Sequence, residues 1–63
     1  MPHVTVQLLD GRTREQKRDA AKAITNALVE HCGAKRESVC VVFQDIPRDS
    51  WAREGVLVVD RPA

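Results

Sequence analysis

The chain has 63 residues, a net charge of +1, and aromatic side chains at only 3% of its positions. This composition argues against a nucleic-acid-binding protein, which needs a basic surface and base-stacking residues. The apolar runs are far shorter than the roughly 20 residues of a membrane-spanning helix. The first residues also lack the basic and apolar stretches of a signal peptide. We therefore expect a cytoplasmic protein that binds neither nucleic acid nor membranes.

A chain of this size is expected to form one domain, residues 1–63, with a small core. Such a core rarely supplies more than about 3–5 kcal/mol, so small domains usually add disulfides, a metal or partner subunits. The only cysteines are Cys32 and Cys40, and the only histidines are His3 and His31. They form neither a disulfide framework nor a metal-ligand motif. We therefore expect no metal, and a homo-oligomer that completes the core.

The first predicted element is a strand at His3–Leu9. Apolar and polar residues alternate there, and a period of two is typical of a strand with one buried face. Asp10 and Gly11 then end the strand, because this pair favours a turn.

A helix is predicted to follow, starting at Thr13. Thr13 and Gln16 have the spacing of a capping box, in which each side chain bonds the other residue's backbone amide. Gly33 suits the left-handed cap that ends many helices. The helix should therefore be amphipathic and run to about Cys32. Its apolar stripe is predicted at spacings of three and four, at Ala20, Ile24, Ala27, Leu28 and Cys32.

The second half of the chain contains a second predicted strand and a short third one. Val39–Phe43 is a continuous apolar run, typical of a strand that is buried on both faces. Asp45–Ser50 is predicted to be a polar loop, and residues 51–55 are predicted to be irregular. Val56–Val59 could form the third strand.

The order strand, helix, strand predicts an α/β (α+β) fold built on a β-α-β unit. Its two strands should be parallel and joined by a right-handed crossover. One amphipathic helix covers only one face of such a sheet, and the short C-terminal strand adds little. The second face and the sheet edge then need a further copy of the chain, so the fold is expected to be completed by oligomerisation.

Pro2 is the first candidate for chemistry. An initiator Met is normally removed before a small residue, which would leave Pro2 with a free secondary amine. A model α-amino group has a pKa of about 7.7–8.0, and an apolar site lowers the pKa of such a group. An amine that is neutral near pH 7 is a good general base. Taken alone, however, a proline here usually indicates only that Met1 is removed.

Arg12 and Trp51 are the other two prominent candidates. Arg12 lies at the strand-to-helix turn, where a guanidinium can hold a carboxylate in two hydrogen bonds or stabilise an enolate. It could equally be a solvated loop arginine. Trp51 is the only Trp, and serves either as the apolar wall of a site or as an interface anchor. Of the arginines near it in sequence (Arg48, Arg53 and Arg61), one could reach a substrate.

Together these features resemble the 4-oxalocrotonate tautomerases. The matching residues are the Met-Pro start, the alternating strand, residues 9–13 (Leu-Asp-Gly-Arg-Thr) and residues 15–17 (Glu-Gln-Lys). The similarity extends over essentially the whole chain. It implies a β-α-β fold, often assembled as a hexamer of three dimers, although a simpler dimer is also compatible with the sequence. It also implies catalysis without a metal or organic cofactor.

The resemblance further implies roles for individual residues. Pro2 would be the base that moves a proton within a small enol or dienol carboxylic acid. Arg12 would bind the substrate carboxylate and draw electron density from the reacting atoms. Trp51 would line the pocket, and the backbone around Leu9 would offer an amide to the substrate.

Two departures from the family pattern concern the other end of the substrate. The best-known members have a second arginine in the second strand, where this chain has Cys40. Cys40 itself is expected to be a small buried hydrophobe among valines. The usual glycine-rich stretch is here Ala52–Gly55. The second polar end must then be held differently or not held at all, and Arg53 or Arg48 of a neighbouring subunit is one candidate substitute.

The leading hypothesis is therefore an enol–keto tautomerase with Pro2 as its base. One alternative is another reaction of the same superfamily, such as dehalogenation or decarboxylation, for which Glu54 is the only acid close after Trp51. The other is a non-catalytic oligomeric module that binds a ligand or partner. The missing second arginine favours that module. Retention of Met1 would favour it too, because the Pro2 nitrogen would then be an amide without basicity.

Overall fold

The computed structural model describes residues 1–62, and two parallel strands and one helix form its body. These are β1 (His3–Leu9), α1 (Arg14–Cys32) and β2 (Cys40–Ile46). β1 pairs with β2 in register, from His3 opposite Cys40 to Leu9 opposite Ile46. The predicted order of elements, the bounds of the first strand and the parallel pairing are all confirmed.

Helix α1 begins and ends as its sequence predicts. The backbone amide of Gln16 donates to the Thr13 hydroxyl at 3.0 Å, and the Thr13 amide donates to the Gln16 side chain at 2.9 Å. This reciprocal pair satisfies two of the amides that a helix start leaves free. At the other end, Gly33 adopts φ 67°, and the next amide bonds the Leu28 carbonyl at 3.3 Å.

The buried stripe of α1 agrees only in part with the predicted one. Ala20, Ile24 and Leu28 are half-buried, but Ala27 and Cys32 are exposed. Ala27 precedes Leu28 by one residue and is therefore rotated about 100° from it around the helix. Cys32 lies in the last turn of the helix. The half-buried positions omitted from the prediction are Lys17, Ala21, Thr25 and Val29.

Strand β2 differs from its prediction in extent and in burial. It begins one residue later and continues to Ile46, because Asp45 and Ile46 pair with the last two residues of β1. Its side chains alternate in exposure: Phe43 is half-buried, whereas Val42 is 43% exposed. The expectation of burial on both faces was wrong for the single chain, because α1 covers one face and the other is open.

The segment after β2 is more regular than predicted. Ala52–Arg53 (β3) and Val56–Leu57 (β4) form a small antiparallel hairpin. Glu54 and Gly55 make its two-residue turn, with φ of 56° and 78°, the positive values that such tight hairpins require. The predicted third strand is confirmed only at its first two residues. Single turns of 3-10 helix complete the chain at Arg36–Ser38, Arg48–Ser50 and Val58–Asp60.

Residues 1–62 include no fully buried side chain. The radius of gyration is 14.8 Å, compared with about 11 Å for a compact domain of this length. The molecule measures 42 × 23 × 14 Å, so it is a flat layer rather than a sphere. A single copy therefore leaves its apolar surface half-covered. No helix formed by residues 1–62 combines the length and the apolar character needed to cross a bilayer.

Candidate active site

Pro2 lies directly before β1 and is half-buried. Its carbonyl oxygen accepts a hydrogen bond from the Cys40 amide at 3.0 Å, which holds the proline beside the start of β2. Met1 is 96% exposed, so its removal would disturb no packing. A processed chain would therefore present the Pro2 amine at this end of the sheet.

Arg12 lies beyond the other end of β1. Gly11 has φ 116°, a conformation that suits glycine, and it turns the chain towards α1. Arg12 is exposed and lines a cavity of about 250 Å³ between α1 and the sheet. Apolar side chains such as Ile24 and Phe43 form much of its wall.

The two cationic residues of this cavity differ in their partners. Lys17 forms an ion pair with Asp45 at 2.5 Å, and this pair ties α1 to β2. Arg12 makes no ion pair within residues 1–62. Arg12 is therefore the cation that remains available to an anionic ligand.

A second cavity, of about 310 Å³, brings together three of the predicted substrate-binding residues. Leu9, Trp51 and Arg53 line it, together with Val58 and Arg61. The Val58 amide donates to the Trp51 carbonyl at 2.8 Å, which holds these two lining residues together. We call this space the Trp51 cavity.

The structure does not bring Pro2 close to the other candidates within one chain. Pro2 and Leu9 lie at opposite ends of the extended strand β1, about 23 Å apart at roughly 3.3 Å per residue. Arg12 follows Leu9 and lines a different cavity from Trp51. A site that uses Pro2 together with Arg12 or Trp51 must therefore draw on more than one copy of the chain.

Cys40 is exposed, so the expectation of a buried hydrophobe was wrong for the single chain. It lies opposite His3 on the face of the sheet that α1 leaves open. The His3 ring bonds the Thr5 hydroxyl at 3.1 Å. Within residues 1–62 no cluster of three or more histidine, cysteine or acidic side chains could hold a metal ion.

A family model for tautomerase enzymes matches residues 2–61. The chain belongs to the tautomerase family. This confirms the resemblance seen in the opening residues of the sequence, since the match covers nearly every position.

The similar proteins include named tautomerases and solved structures. A 2-hydroxymuconate tautomerase of Bacillus subtilis (strain 168) is 40% identical over 60 residues, which are 95% of this chain and 97% of the relative. The crystal structure of a 4-oxalocrotonate tautomerase homologue superposes with a TM-score of 0.93 at 35% identity, covering 100% of both chains. A heterohexameric 4-oxalocrotonate tautomerase from Chloroflexus aurantiacus J-10-fl has a TM-score of 0.90 at 25% identity, covering 95% and 97%. The predicted β-α-β tautomerase fold is thereby confirmed.

Arg61 lines the Trp51 cavity, as does Val58, and the sequence singled out neither. The contact of Arg61 with Arg53 explains its place there. Arg61 was one of three arginines near Trp51, and nothing in its spacing distinguished it from Arg48. The 3-10 turn at Val58–Asp60 carries the chain back over the hairpin, where the Arg61 side chain reaches the Arg53 carbonyl at 2.6 Å. Only the fold could identify this contact.

Proposed function

We propose that this chain is an enol–keto tautomerase for small enol or dienol carboxylic acids. Membership of the tautomerase family supports a tautomerase-type activity, and the half-buried Pro2 at the free end of the sheet is the observation that carries the mechanism. After removal of Met1, the Pro2 amine is the general base. Arg12 binds the substrate carboxylate.

The proposed reaction moves one proton and needs no net change in redox state. The neutral amine of Pro2 removes a proton from the enol acid, which leaves a delocalised enolate or dienolate. The resulting prolinium returns the proton to a carbon atom and yields the keto acid. Positioned proton transfer of this kind typically contributes about 10²–10⁴-fold to the rate.

Arg12 has two roles in this mechanism. Its planar guanidinium can pair with a carboxylate through two parallel hydrogen bonds, which orients the substrate. It also stabilises the negative charge that develops when the enolate forms. The absence of an ion-pair partner within residues 1–62 leaves Arg12 free for both roles.

The active site is proposed to form between copies of the chain. Pro2 of one copy meets Arg12 and the Trp51 cavity of another, because β1 keeps these ends about 23 Å apart within one copy. The single chain has no fully buried side chain among residues 1–62. This supports the same assembly, since association would cover the open face of the sheet. We propose a homo-oligomer, a trimer of dimers or a dimer.

The residues of the Trp51 cavity complete the proposed site. The indole of Trp51 forms an apolar wall that keeps water from the reacting atoms, which strengthens electrostatic interactions there. The backbone near Leu9 offers an amide to the substrate, and Arg53 contributes to binding at the rim. All three residues line this cavity in the structure.

The test is the ketonisation of a simple enol acid, phenylenolpyruvate, on protein whose mass shows that Met1 is absent. Wild type should be active, and Pro2→Ala should lose about 10²-fold or more of kcat. The far-UV circular dichroism of the two proteins should match, so that the loss is one of chemistry. Equal activity in both proteins would show that the secondary amine of proline is not required by the mechanism.

A further inference from the structure

Removal of Met1 would leave Pro2 and His3 as the first two residues, and this pair carries three nitrogen donors. They are the α-amine of Pro2, the backbone amide of His3 and the His3 imidazole. The amine and the amide close a five-membered ring on a metal ion, and the amide and the nearer ring nitrogen, Nδ1, close a six-membered one. Nitrogen donors in one plane suit Cu(II) and Ni(II), of which Cu(II) binds more tightly.

The backbone of β1 leaves the His3 amide free for such a site. The Pro2 carbonyl accepts a hydrogen bond from the Cys40 amide at 3.0 Å, so this carbonyl points towards β2. The peptide bond between Pro2 and His3 is trans, and a trans peptide directs its N–H opposite to its C=O. The His3 N–H therefore points away from β2, to the edge where residues 1–62 supply no neighbouring strand.

The imidazole of His3 is also arranged as in many metal sites. Its farther nitrogen, Nε2, bonds the Thr5 hydroxyl at 3.1 Å, and the hydrogen bonds among residues 1–62 leave Nδ1 unused. Histidines that bind a metal through one ring nitrogen usually engage the other in a hydrogen bond, which fixes the ring. Thr5 therefore holds the ring without occupying the nitrogen that the chelate needs.

The third donor, the Pro2 amine, is accessible once Met1 is removed. Met1 is 96% exposed, so the nitrogen to which it is bonded opens towards solvent. No chain then precedes Pro2, and its ring can turn about the Cα–C bond to bring the amine beside the amide. Cys40 lies on the β2 side of His3, opposite to the amide, so its thiol is not a donor of this site.

We propose that the processed N-terminus binds Cu(II) through the Pro2 amine, the His3 amide and His3 Nδ1, and that the bound copper blocks the base. This shares one premise with the proposed function, the removal of Met1, and the block also rests on the role of Pro2. Binding forms three metal–nitrogen bonds and releases the amide proton, and the amine proton where one is present, to solvent. The lone pair of Pro2 is then committed to the metal and cannot accept a substrate proton.

The experiment is a Cu(II) titration followed by visible absorption and electron paramagnetic resonance. Cys32 and Cys40 are exposed, and their thiols would reduce Cu(II). The parent protein is therefore the full chain with both cysteines replaced by serine, with a mass that shows Pro2 as the first residue and a far-UV circular dichroism that matches wild type. The variants are His3→Gln and the control His31→Gln, which loses the same ring from the exposed last turn of α1.

The parent should bind one Cu(II) per chain, with the resonance pattern of three directly bonded nitrogens. Loss of an outer-shell partner alone costs about 10–100-fold in metal affinity, so His3→Gln, which loses a ligand, should raise the Kd by about 10²-fold or more. His31→Gln should bind as the parent does. Equal affinity in His3→Gln and the parent would overturn the proposal.

A second control changes the amine and leaves every side chain in place. Protein made with methionine aminopeptidase inhibited keeps Met1, and its Pro2 nitrogen is an amide that has no proton to release. This form should bind Cu(II) as weakly as His3→Gln. If it bound as tightly as the parent, the Pro2 amine would not be a ligand.

Pro2→Ala separates this proposal from the proposed function. Alanine keeps a terminal amine, so this variant should bind Cu(II) as the parent does, although its ketonisation is slow. Copper should inhibit ketonisation by the parent, a chelator should restore it, and the activity of His3→Gln should change little at the same copper concentration. Full activity of the copper-bound parent would overturn the block of the base. Failure of the tautomerase assay leaves the titration intact, and failure to bind Cu(II) leaves the tautomerase proposal standing.

Discussion

The two ends of strand β1 differ in what they contribute to the chemistry. At the first end, Pro2 is held beside Cys40 by a backbone hydrogen bond. At the second end, Leu9 lines the Trp51 cavity and the chain turns to Arg12. One end therefore carries the proposed base, and the other carries the cationic and apolar groups that receive a substrate.

This division is the reason for proposing that the active site forms between copies of the chain. The seven residues of β1 are extended, so the two ends of the strand stay far apart. The single chain also has no fully buried side chain, so its core is incomplete. In the proposed assembly, association of copies covers the open sheet face and brings unlike ends together. In this protein, the surface that stabilises the fold and the surface that completes the site are expected to be the same.

The most direct test of this division between the two ends of β1 is to mix two variants, each impaired at one end. Pro2→Ala replaces the proposed proline base with a primary amine and should lose about 10²-fold or more of kcat/KM. Arg12→Ala lacks the carboxylate anchor and should lose about 10–10²-fold. When the two are unfolded and refolded together, hybrid sites should restore roughly a quarter of the wild-type activity, as expected for random exchange in a symmetric oligomer. The measurement is phenylenolpyruvate ketonisation before and after mixing. Recovery no greater than the sum of the two variants would show that each site draws both residues from one chain.

Arg12→Ala on its own tests what the second end of β1 contributes to binding and catalysis. Loss of a bidentate carboxylate contact should raise KM, and loss of enolate stabilisation should lower kcat, so kcat/KM should fall about 10–10²-fold. Steady-state kinetics separates the two parameters, and Arg18→Ala is the matched control on the exposed face of α1. Kinetics unchanged from wild type would remove Arg12 from the site.

Trp51→Ala tests whether the wall of the cavity serves binding or assembly. Loss of the indole should raise KM about tenfold, since much of the apolar contact with the substrate is lost. Sizing chromatography should show the wild-type oligomer. If the variant instead elutes as a smaller species, Trp51 is an interface anchor and the activity loss is secondary.

The smallest effect is expected at the start of α1, which lies outside the proposed active site. Thr13→Ala removes the side-chain acceptor of the capping box and should lower the free energy of unfolding by about 1 kcal/mol. Urea denaturation measures this change, and kcat should stay within about twofold of wild type because no substrate contact is lost. A larger fall in kcat would mean that the cap positions Arg12.

The sequence was most informative where local rules decide structure. The alternation in His3–Leu9 predicted β1 with its observed bounds, and the Thr13–Gln16 spacing predicted both hydrogen bonds of the cap. Pro2, Arg12 and Trp51 were singled out by their chemistry and their places in the chain, and the family resemblance then implied their roles. Their chemical types indicated a base, a carboxylate anchor and an apolar wall, but not their positions in space.

The predictions that failed concern features that depend on distant partners. A run of valines does not reveal whether one face or two will be covered, and Val42 is exposed because a single helix reaches the sheet. The Glu54-Gly55 turn was missed because glutamate is rarely found at positive φ. These outcomes depend on which strands pair and on which sheet faces other elements cover, and no local sequence pattern encodes either.

What the sequence by itself determined is the β-α-β order, the helix caps and the family, because periodicity and capping act over only a few neighbouring residues. Only the tertiary structure decided that Leu9, Trp51 and Arg61 share a cavity and that Pro2 lies at the opposite end of β1. The physical reason is that the parallel crossover and the 3-10 turn at Val58–Asp60 set distances between residues far apart in the chain. Those distances, rather than residue types alone, determine which groups can act on one substrate.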